Sequence, residues 1–290
     1  MNAKVQVPAA VKASFPVRRM DFDFSNVARY WIDHDAGLTH FMTAMSALFP
    51  AGERFFVDSV RAVRNNPLLK DDLAMQKEIS AFIGQEAMHS KEHEGFNQSA
   101  RDFGYDVDKM EKWTRKVIDV KRFLPIAPTQ KLDLAATCAL EHFTATIAAQ
   151  LLRRGDLQDL MKDPVMYKLW MWHAIEENEH KAVAYDVFER LYGKGIATYA
   201  LRCFAMGVAT VLLFVTQTYF MAHLMKQDKK LGWRNWTRAV RTMYGVRQGF
   251  FTQIAPELLD YFRPSFHPND HDTVDLLAEW KQKLNFTAHH

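Results

Sequence analysis

Two runs of the chain carry the residue types that bind transition metals, and they carry them at the same spacing. In KEISAFIGQEAMHSKEHEGF, Glu86 and His89 stand three residues apart, one helical turn, on a single face. That face continues as Ile79, Phe82, Glu86, His89, His93 and Phe96, an apolar stripe interrupted by three ligand types. In YKLWMWHAIEENEHKAVAYDVF, Glu177 and His180 repeat the Glu-x-x-His spacing on a face running Leu169, His173, Glu177, His180, Ala184, Val187. A further Glu precedes each pair in apolar company. Glu53 sits among Phe49, Phe56, Val57 and Val60; Glu141 sits among Leu134, Cys138, Ala145 and Ala148. The order Glu, Glu-x-x-His, Glu, Glu-x-x-His has separations of 33 and 36 residues from each lone Glu to the next paired one.

Two antiparallel hairpins of matching length would bring Glu53, Glu86, His89, Glu141, Glu177 and His180 to one level of a four-helix bundle. That is the arrangement of a carboxylate-bridged pair of iron or manganese ions. Charge is the physical warrant. Four ionised carboxylates in an apolar interior cost many kcal/mol unless neutralised, and two divalent cations neutralise them. Oxygen and imidazole donors suit two iron ions, with manganese or a mixed pair as the alternative. One Glu-x-x-His is a weak signal, common on solvated faces; two copies, each with an upstream Glu, are specific. His93 and His173, one turn from the pairs, are candidates for an extra ligand or a catalytic proton donor, or else core histidines. Each ligand His needs an acceptor for its other ring nitrogen, with Glu78, Glu94, Asp133 and Asp186 as candidates. Glu92, Glu94, Glu176 and Glu179 read as solvated charges. His142 reads as lying behind the ligands or exposed, and Cys138 as a small buried hydrophobe.

The elements that must position these residues are helices. Gly and Pro are few, and the segments between them are rich in Ala, Leu, Met, Glu, Lys and Gln. The pattern predicts helices near 39–65 (kinked or restarted at Pro50), 70–102, 107–122, 129–154, 164–192, 195–226, 233–252 and 272–284, with no period-two strand pattern. The expected organisation is a flexible lead-in over 1–20, a metal-binding bundle over 21–194 and a helical extension over 195–290. With 290 residues, 48% of them hydrophobic, the chain has ample material for such a core. Its net charge of +3 and scattered basic residues give no reason to expect nucleic acid. Two lone cysteines point to a reducing compartment, and the N-terminus lacks the apolar core of a secretory signal, so a cytoplasmic location is expected.

The extension carries its own signal. From Cys203 to Met225 there is no Asp, Glu, Lys or Arg; as a helix this stretch is about 34 Å long, enough to cross a bilayer core. It could equally lie on the inner face of the cytoplasmic membrane, bury against the bundle, or pair with its copy in a homodimer. The next helix combines Trp233, Trp236, Val240, Met243 and Tyr244 with Lys229, Lys230, Arg234, Arg238, Arg241 and Arg247, a composition suited to an anionic membrane surface. In RPSFHPNDHD, His267 and His271 read as structural, and Asp272 as a cap for the last helix.

The ligand series resembles that of the ferritin-like superfamily. More narrowly, FPAGERFF, IGQEAMHSKEH, ALEHFTA, WHAIEENEHKAVAYDVF and YFRPSFHPNDHD resemble a bacterial family called predicted metal-dependent hydrolases, over about residues 20 to 285. The resemblance implies an all-α, ferritin-like four-helix bundle with a dinuclear metal centre and additional C-terminal helices. It also implies ligands at Glu53, Glu86, His89, Glu141, Glu177 and His180. The family name implies hydrolysis through a metal-activated water. The carboxylate-rich ligand pattern points instead to an oxygenase, oxidase or desaturase that acts on a hydrophobic substrate and takes electrons from an external donor or redox partner. Non-enzymatic iron binding is a further alternative, though the long apolar extension has no use in a simple storage shell. Ala135, Ala136, Ala145, Ala148 and Ala149 leave room for a channel beside Glu141, or pack helices tightly.

Overall fold

The computed structural model describes residues 13–119 and 126–286. Among these, the chain is all-α, with one isolated bridge between Ile32 and Met161 and no strand. The helices are α1 (Ala36–Ser46), α2 (Phe49–Val63), α3 (Leu73–Asp102), α4 (Val107–Asp119), α5 (Thr129–Arg153), the single turn α6 (Gly155–Gln158), α7 (Pro164–His180), α8 (Val183–Tyr192), α9 (Ile196–Gln227), α10 (Trp233–Tyr244), α11 (Phe250–Asp260) and α12 (Val274–Lys283). Local chemistry sets several starts. Asp35, Asp72 and Asp163 each accept from backbone N–H groups of the following first turn, and Pro50 and Pro164 sit where a helix needs no donor.

Four helices form the bundle. α2 and α3 run antiparallel: Arg64 reaches Gln76 and Ser80 at one end, and Ser90 donates to the carbonyl of Pro50 at the other. α5 and α7 form the second hairpin, where Asn178 donates to the carbonyl of Ala145. α2 against α5 and α3 against α7 close the ring. The later helices pack onto this ring. α9 lies on α1 and α5, α11 on α5, and α12 on α7.

Three expected boundaries differ. The helix expected over 164–192 breaks at Lys181–Ala182, directly after His180. There the Lys181 ammonium turns inward to the carbonyl of His271 and the hydroxyl of Thr273. The helix expected over 233–252 splits at Gly245 and Gly249, whose backbones approach too closely for any side chain. α11, which runs beyond the expected helix, continues through Pro256. The expected lead-in falls partly outside the described residues. From Ala13 to Met20 it lies against the bundle, with Phe15 buried and its ring 6.2 Å from that of His180.

The crossing of α1 and α10 depends on Gly37, where an added Cβ would strike the backbone carbonyl of Asn235. Alanine is the better helix former, yet here its methyl has no space. Gly37→Ala is therefore expected to destabilise the protein by about 1–3 kcal/mol, read as a lower thermal midpoint. An unchanged or raised midpoint would show that α10 does not seat against α1 this way.

Candidate metal centre

α2, α3, α5 and α7 each turn one or two ligand-type side chains into the bundle interior, at matching depth. Glu53, Glu86, His89, Glu141, Glu177 and His180 are all buried. Four groups offer ligand atoms within 4.8 Å of one another: Glu53 with Glu86 and His89, Glu86 with Glu177 and His180, His89 with His173 and Glu177, and Glu53 with His93 and His173. Glu141 joins from α5, its Oε2 lying 3.5 Å from His180 Nε2. All six sequence-predicted ligands thus come to one place.

The polar atoms at this centre lack protein partners. Both carboxylate oxygens of Glu53, Glu86 and Glu141, one of Glu177, Nδ1 of His89 and Nε2 of His180 are buried without a hydrogen bond. Buried polar groups are nearly always satisfied, so a cluster of orphaned acceptors converging on one space is what a cation site looks like. The donor set, four carboxylates and imidazole nitrogens, fits two divalent transition ions.

The carboxyl groups register the same strain. Burial pushes Glu53 well up from the ordinary carboxylate range, aided by the charges of Glu86 and Glu177. Burial does the same to Glu141, aided by Glu86, Glu177 and Glu53. Glu86 is raised by burial, opposed by the neighbouring His180, whose Nε2 lies 3.0 Å from Glu86 Oε1. Burial also pushes at Glu177, but the hydrogen bond from His173 and the charges of His173 and His180 outweigh it and hold Glu177 low. His89 is driven well down by burial and by repulsion from His173 and His180.

The groups behind the ligands are not the ones expected. His89 Nε2 lies 3.1 Å from Glu176 Oε2, and His180 Nδ1 lies 2.8 Å from Gln85 Oε1. The acceptors are therefore Glu176 and Gln85, rather than Glu78, Glu94, Asp133 or Asp186. Each immediately precedes the Glu of one Glu-x-x-His pair and serves the His of the other. The sequence carried this signal as QEAMH and EENEH, but periodicity along one helix cannot show a bond across two.

Reading Glu92, Glu176 and Glu179 as solvated charges is also corrected. Glu92 and Glu176 are buried, and Glu179 has a buried side chain. Arg18 explains two of them, donating to Glu176 at 2.9 Å and to both oxygens of Glu179 at 2.7 and 2.8 Å. Glu92 accepts from the backbone N–H groups of Asp21 and Phe22. Glu94 does lie at the surface, paired with Arg101.

The remaining candidates separate cleanly. His173 stacks on His89 with ring centroids 4.1 Å apart, and its Nε2 lies 2.8 Å from Glu177 Oε1. His93 stands behind it, its Nε2 2.6 Å from His173 Nδ1. His142 faces away from the centre, is buried, and bonds to the carbonyl of Glu257. His267 and His271 pair with Asp186 and Asp260, clasping the turn before α12, where Asp272 accepts from Val274 N–H. Cys138 is buried and free.

A cavity of about 250 Å³ ends at Glu53, His173 and Glu177. Its walls are almost wholly apolar and include Phe41, Met45, Phe143, Ile147 and Leu151. Ala136 and Ala148 line it, while Ala135, Ala145 and Ala149 pack in the core. Partly exposed residues of α2, α4, α5 and α9, among them Phe55, Ile118, Leu140 and Phe204, line its outer part.

Fold and site together define a helical protein with a buried Glu/His centre able to hold metal. The chain belongs to the family described as predicted metal-dependent hydrolases, whose pattern matches residues 16–272. No curated protein and no solved structure matches it.

The raised carboxyls give a prediction for the metal-free protein. Folded Glu53, Glu86 and Glu141 keep protons that the unfolded chain releases, so stability falls as pH rises through their elevated range. The depressed Glu177 and His89 act in the opposite sense, but only until the unfolded imidazole has titrated, about one pH unit above its ordinary value of about 6.5. The thermal midpoint of chelator-treated protein should therefore drop as the pH is raised beyond that point, through the elevated range of Glu53, Glu86 and Glu141. Ferrous or manganous ion should abolish that drop. A chelated protein that grows more stable with alkalinity would show that the carboxylates are otherwise compensated.

Proposed function

We propose that this protein is a dinuclear non-haem metal enzyme, with iron its metal, that uses dioxygen to oxidise an apolar substrate. The supporting observation is the cavity: its apolar walls end directly on Glu53, His173 and Glu177. Glu53, Glu86, His89, Glu141, Glu177 and His180 would hold the ions. Such a ferrous pair supplies the binding and reduction of dioxygen, with electrons from an external donor.

The chain's own residues do the rest. Phe49 packs edge-on against His93, centroids 4.6 Å apart, and lies 4.8 Å from His173, shielding both rings. The apolar walls, aromatic and aliphatic, exclude water and offer a substrate surface contact rather than polar recognition, which suits an acyl or other hydrocarbon chain. At about 250 Å³ the space is slightly smaller than the roughly 300–1,000 Å³ of typical small-molecule sites. The hydrolytic alternative has the family's description in its favour, but these walls provide little to bind a charged leaving group.

Metal analysis comes first. The protein should carry close to two irons, lost in the Glu86→Ala, Glu177→Ala double variant. With a reductant and long-chain substrates it should consume dioxygen. Ala148→Phe, which fills the cavity, should lower substrate-stimulated uptake by tenfold or more while metal stays bound. Ester or amide cleavage with zinc, needing neither dioxygen nor reductant, would establish the hydrolase chemistry and overturn this reading.

A membrane surface is the natural source of such a substrate. α9 is long and apolar enough to cross a membrane, and only 28% of its most apolar window is buried. Phe204, Val211, Val215 and Tyr219 form an exposed stripe on α9, with Val211 62% and Val215 57% exposed. The other side of α9 is tied down: Gln217 donates to the carbonyl of Phe41, and Arg202 reaches the carbonyls of Tyr261 and Arg263. A helix docked along its length suits lying on a bilayer better than crossing it. Beside it, α4 exposes Lys109, Lys112, Arg115 and Lys116, with Trp113 against Tyr219 at 5.2 Å. The outer part of the cavity lies between these two helices. Arg238, by contrast, is engaged with Asp33 and Asp35. The protein should float with anionic vesicles, less with neutral ones, and not at all as a Val211→Asp, Val215→Asp variant. A native protein that stays in the aqueous phase as a dimer, and becomes monomeric in that variant, would assign the stripe to self-association.

A further inference from the structure

The hydrogen bonds around the centre determine which nitrogen of each histidine carries its proton. Burial pushes Glu176 up to about 8, but its Oε1 faces the Arg18 guanidinium at 2.9 Å, so toward His89 it accepts: His89 presents Nε2–H to it and turns the lone pair of Nδ1 inward. Gln85 commits its amide nitrogen to the carbonyl of Pro16 and to Glu179, so its oxygen receives Nδ1–H of His180. The lone pair of His180 Nε2 then faces the carboxylates.

A third imidazole obeys the same rule through a longer chain. Asn97 donates its amide N–H to the carbonyl of Ser46, which directs its Oδ1 toward the Ser46 hydroxyl. That hydroxyl has one proton, and it goes to Asn97 Oδ1 at 2.9 Å. Ser46 Oγ must then accept from His93, so Nδ1 of His93, 2.9 Å away, carries the hydrogen. A neutral imidazole has one donor and one acceptor, which leaves Nε2 of His93 as an acceptor. His173 Nδ1–H donates to it across 2.6 Å. The remaining nitrogen of His173, Nε2, is left with a lone pair aimed at the centre, 2.8 Å from Glu177 Oε1 and 4.0 Å from Glu53 Oε1. A lone pair cannot face an ionised carboxylate oxygen at that distance, so a cation must lie between them: a proton in the metal-free protein, which makes the hydrogen bond to Glu177, and a metal ion in its place when one is bound.

We infer that His173 is a third nitrogen ligand of the centre, beside His89 and His180, and that Asn97, Ser46 and His93 are positioning residues that hold it in the metal-binding tautomer. Both nitrogens of His93 are engaged in the chain, so His93 is not a ligand. His173, His89 and Glu177 offer ligand atoms within 4.8 Å of one another, so the third imidazole adds to the ion that His89 holds. The centre is then asymmetric, with two imidazoles on one side and one on the other. The inference rests on the metal centre proposed above, and is indifferent to whether that centre oxidises or hydrolyses.

The test uses full-length protein loaded anaerobically with cobalt(II), and needs no substrate. Each imidazole bound to a paramagnetic ion gives one strongly shifted, solvent-exchangeable N–H proton resonance. The native protein should show three, and His173→Gln two, with the weaker cobalt bound at least tenfold less tightly. Ser46→Ala leaves all three rings but removes the acceptor that sets the tautomer. It should keep three resonances and weaken the same ion by about tenfold, the usual effect of losing such a support. Because the count is read on the native protein, a variant that fails to fold does not remove the test. Two resonances with two cobalt ions bound would overturn the third ligand and leave the centre standing. Unchanged affinity in Ser46→Ala would overturn the tautomer chain. No metal bound at all would overturn the centre and this inference together.

Discussion

Four carboxylates held inside an apolar bundle dominate the energetics of this protein. An unpaired buried ion costs several kcal/mol even after the protein relaxes, and Glu53, Glu86, Glu141 and Glu177 share one interior space. Without cations the chain can only keep protons on some of them, as the raised Glu53, Glu86 and Glu141 show. The bundle helices α2, α3, α5 and α7 are rigid supports that keep these groups at one level. The site and the stability of the fold are therefore one problem, because cations bound among these carboxylates would also remove their electrostatic cost.

Around that centre runs a layer of directed hydrogen bonds. The residue before each paired glutamate, Gln85 or Glu176, accepts from the histidine of the opposite helix. The two pairs are thereby locked to each other, and α3 is tied to α7 at the depth of the metals. The two acceptors differ in charge, and Arg18 compensates the charged one while also binding Glu179. The segment before α1 is thus part of the site. Phe15 lies near the His180 ring, and the carbonyl of Pro16 orients Gln85.

The apolar side of the molecule follows a different logic. Small residues at Ala136 and Ala148 leave space that larger ones would fill, and the space leads from the carboxylates to α4 and α9. There α9 exposes an uncharged stripe, while Arg202 and Gln217 fasten its other face to the bundle. An apolar cavity and an apolar exterior meeting at one place is an arrangement suited to a substrate that is itself poorly soluble in water.

Much of this was legible in the residues alone. Helices follow from composition and spacing, and the convergence of six Glu and His side chains follows from a doubled Glu-x-x-His with its upstream glutamates, because helical periodicity is a local property that a single stretch of sequence displays. Partnership across helices is not local. Glu176 looked like a solvated charge because nothing in its own helix reveals Arg18, 158 residues earlier, or His89 on α3. The break after His180 comes from Lys181 turning to a loop 90 residues later. The part played by His173 depends on a proton whose location Asn97 decides from another helix. Residue type and period suffice for the helices and for which side chains could bind metal. Which imidazole nitrogen faces the carboxylates, which acidic groups are buried, and where the cavity runs depend on atoms brought together only by folding.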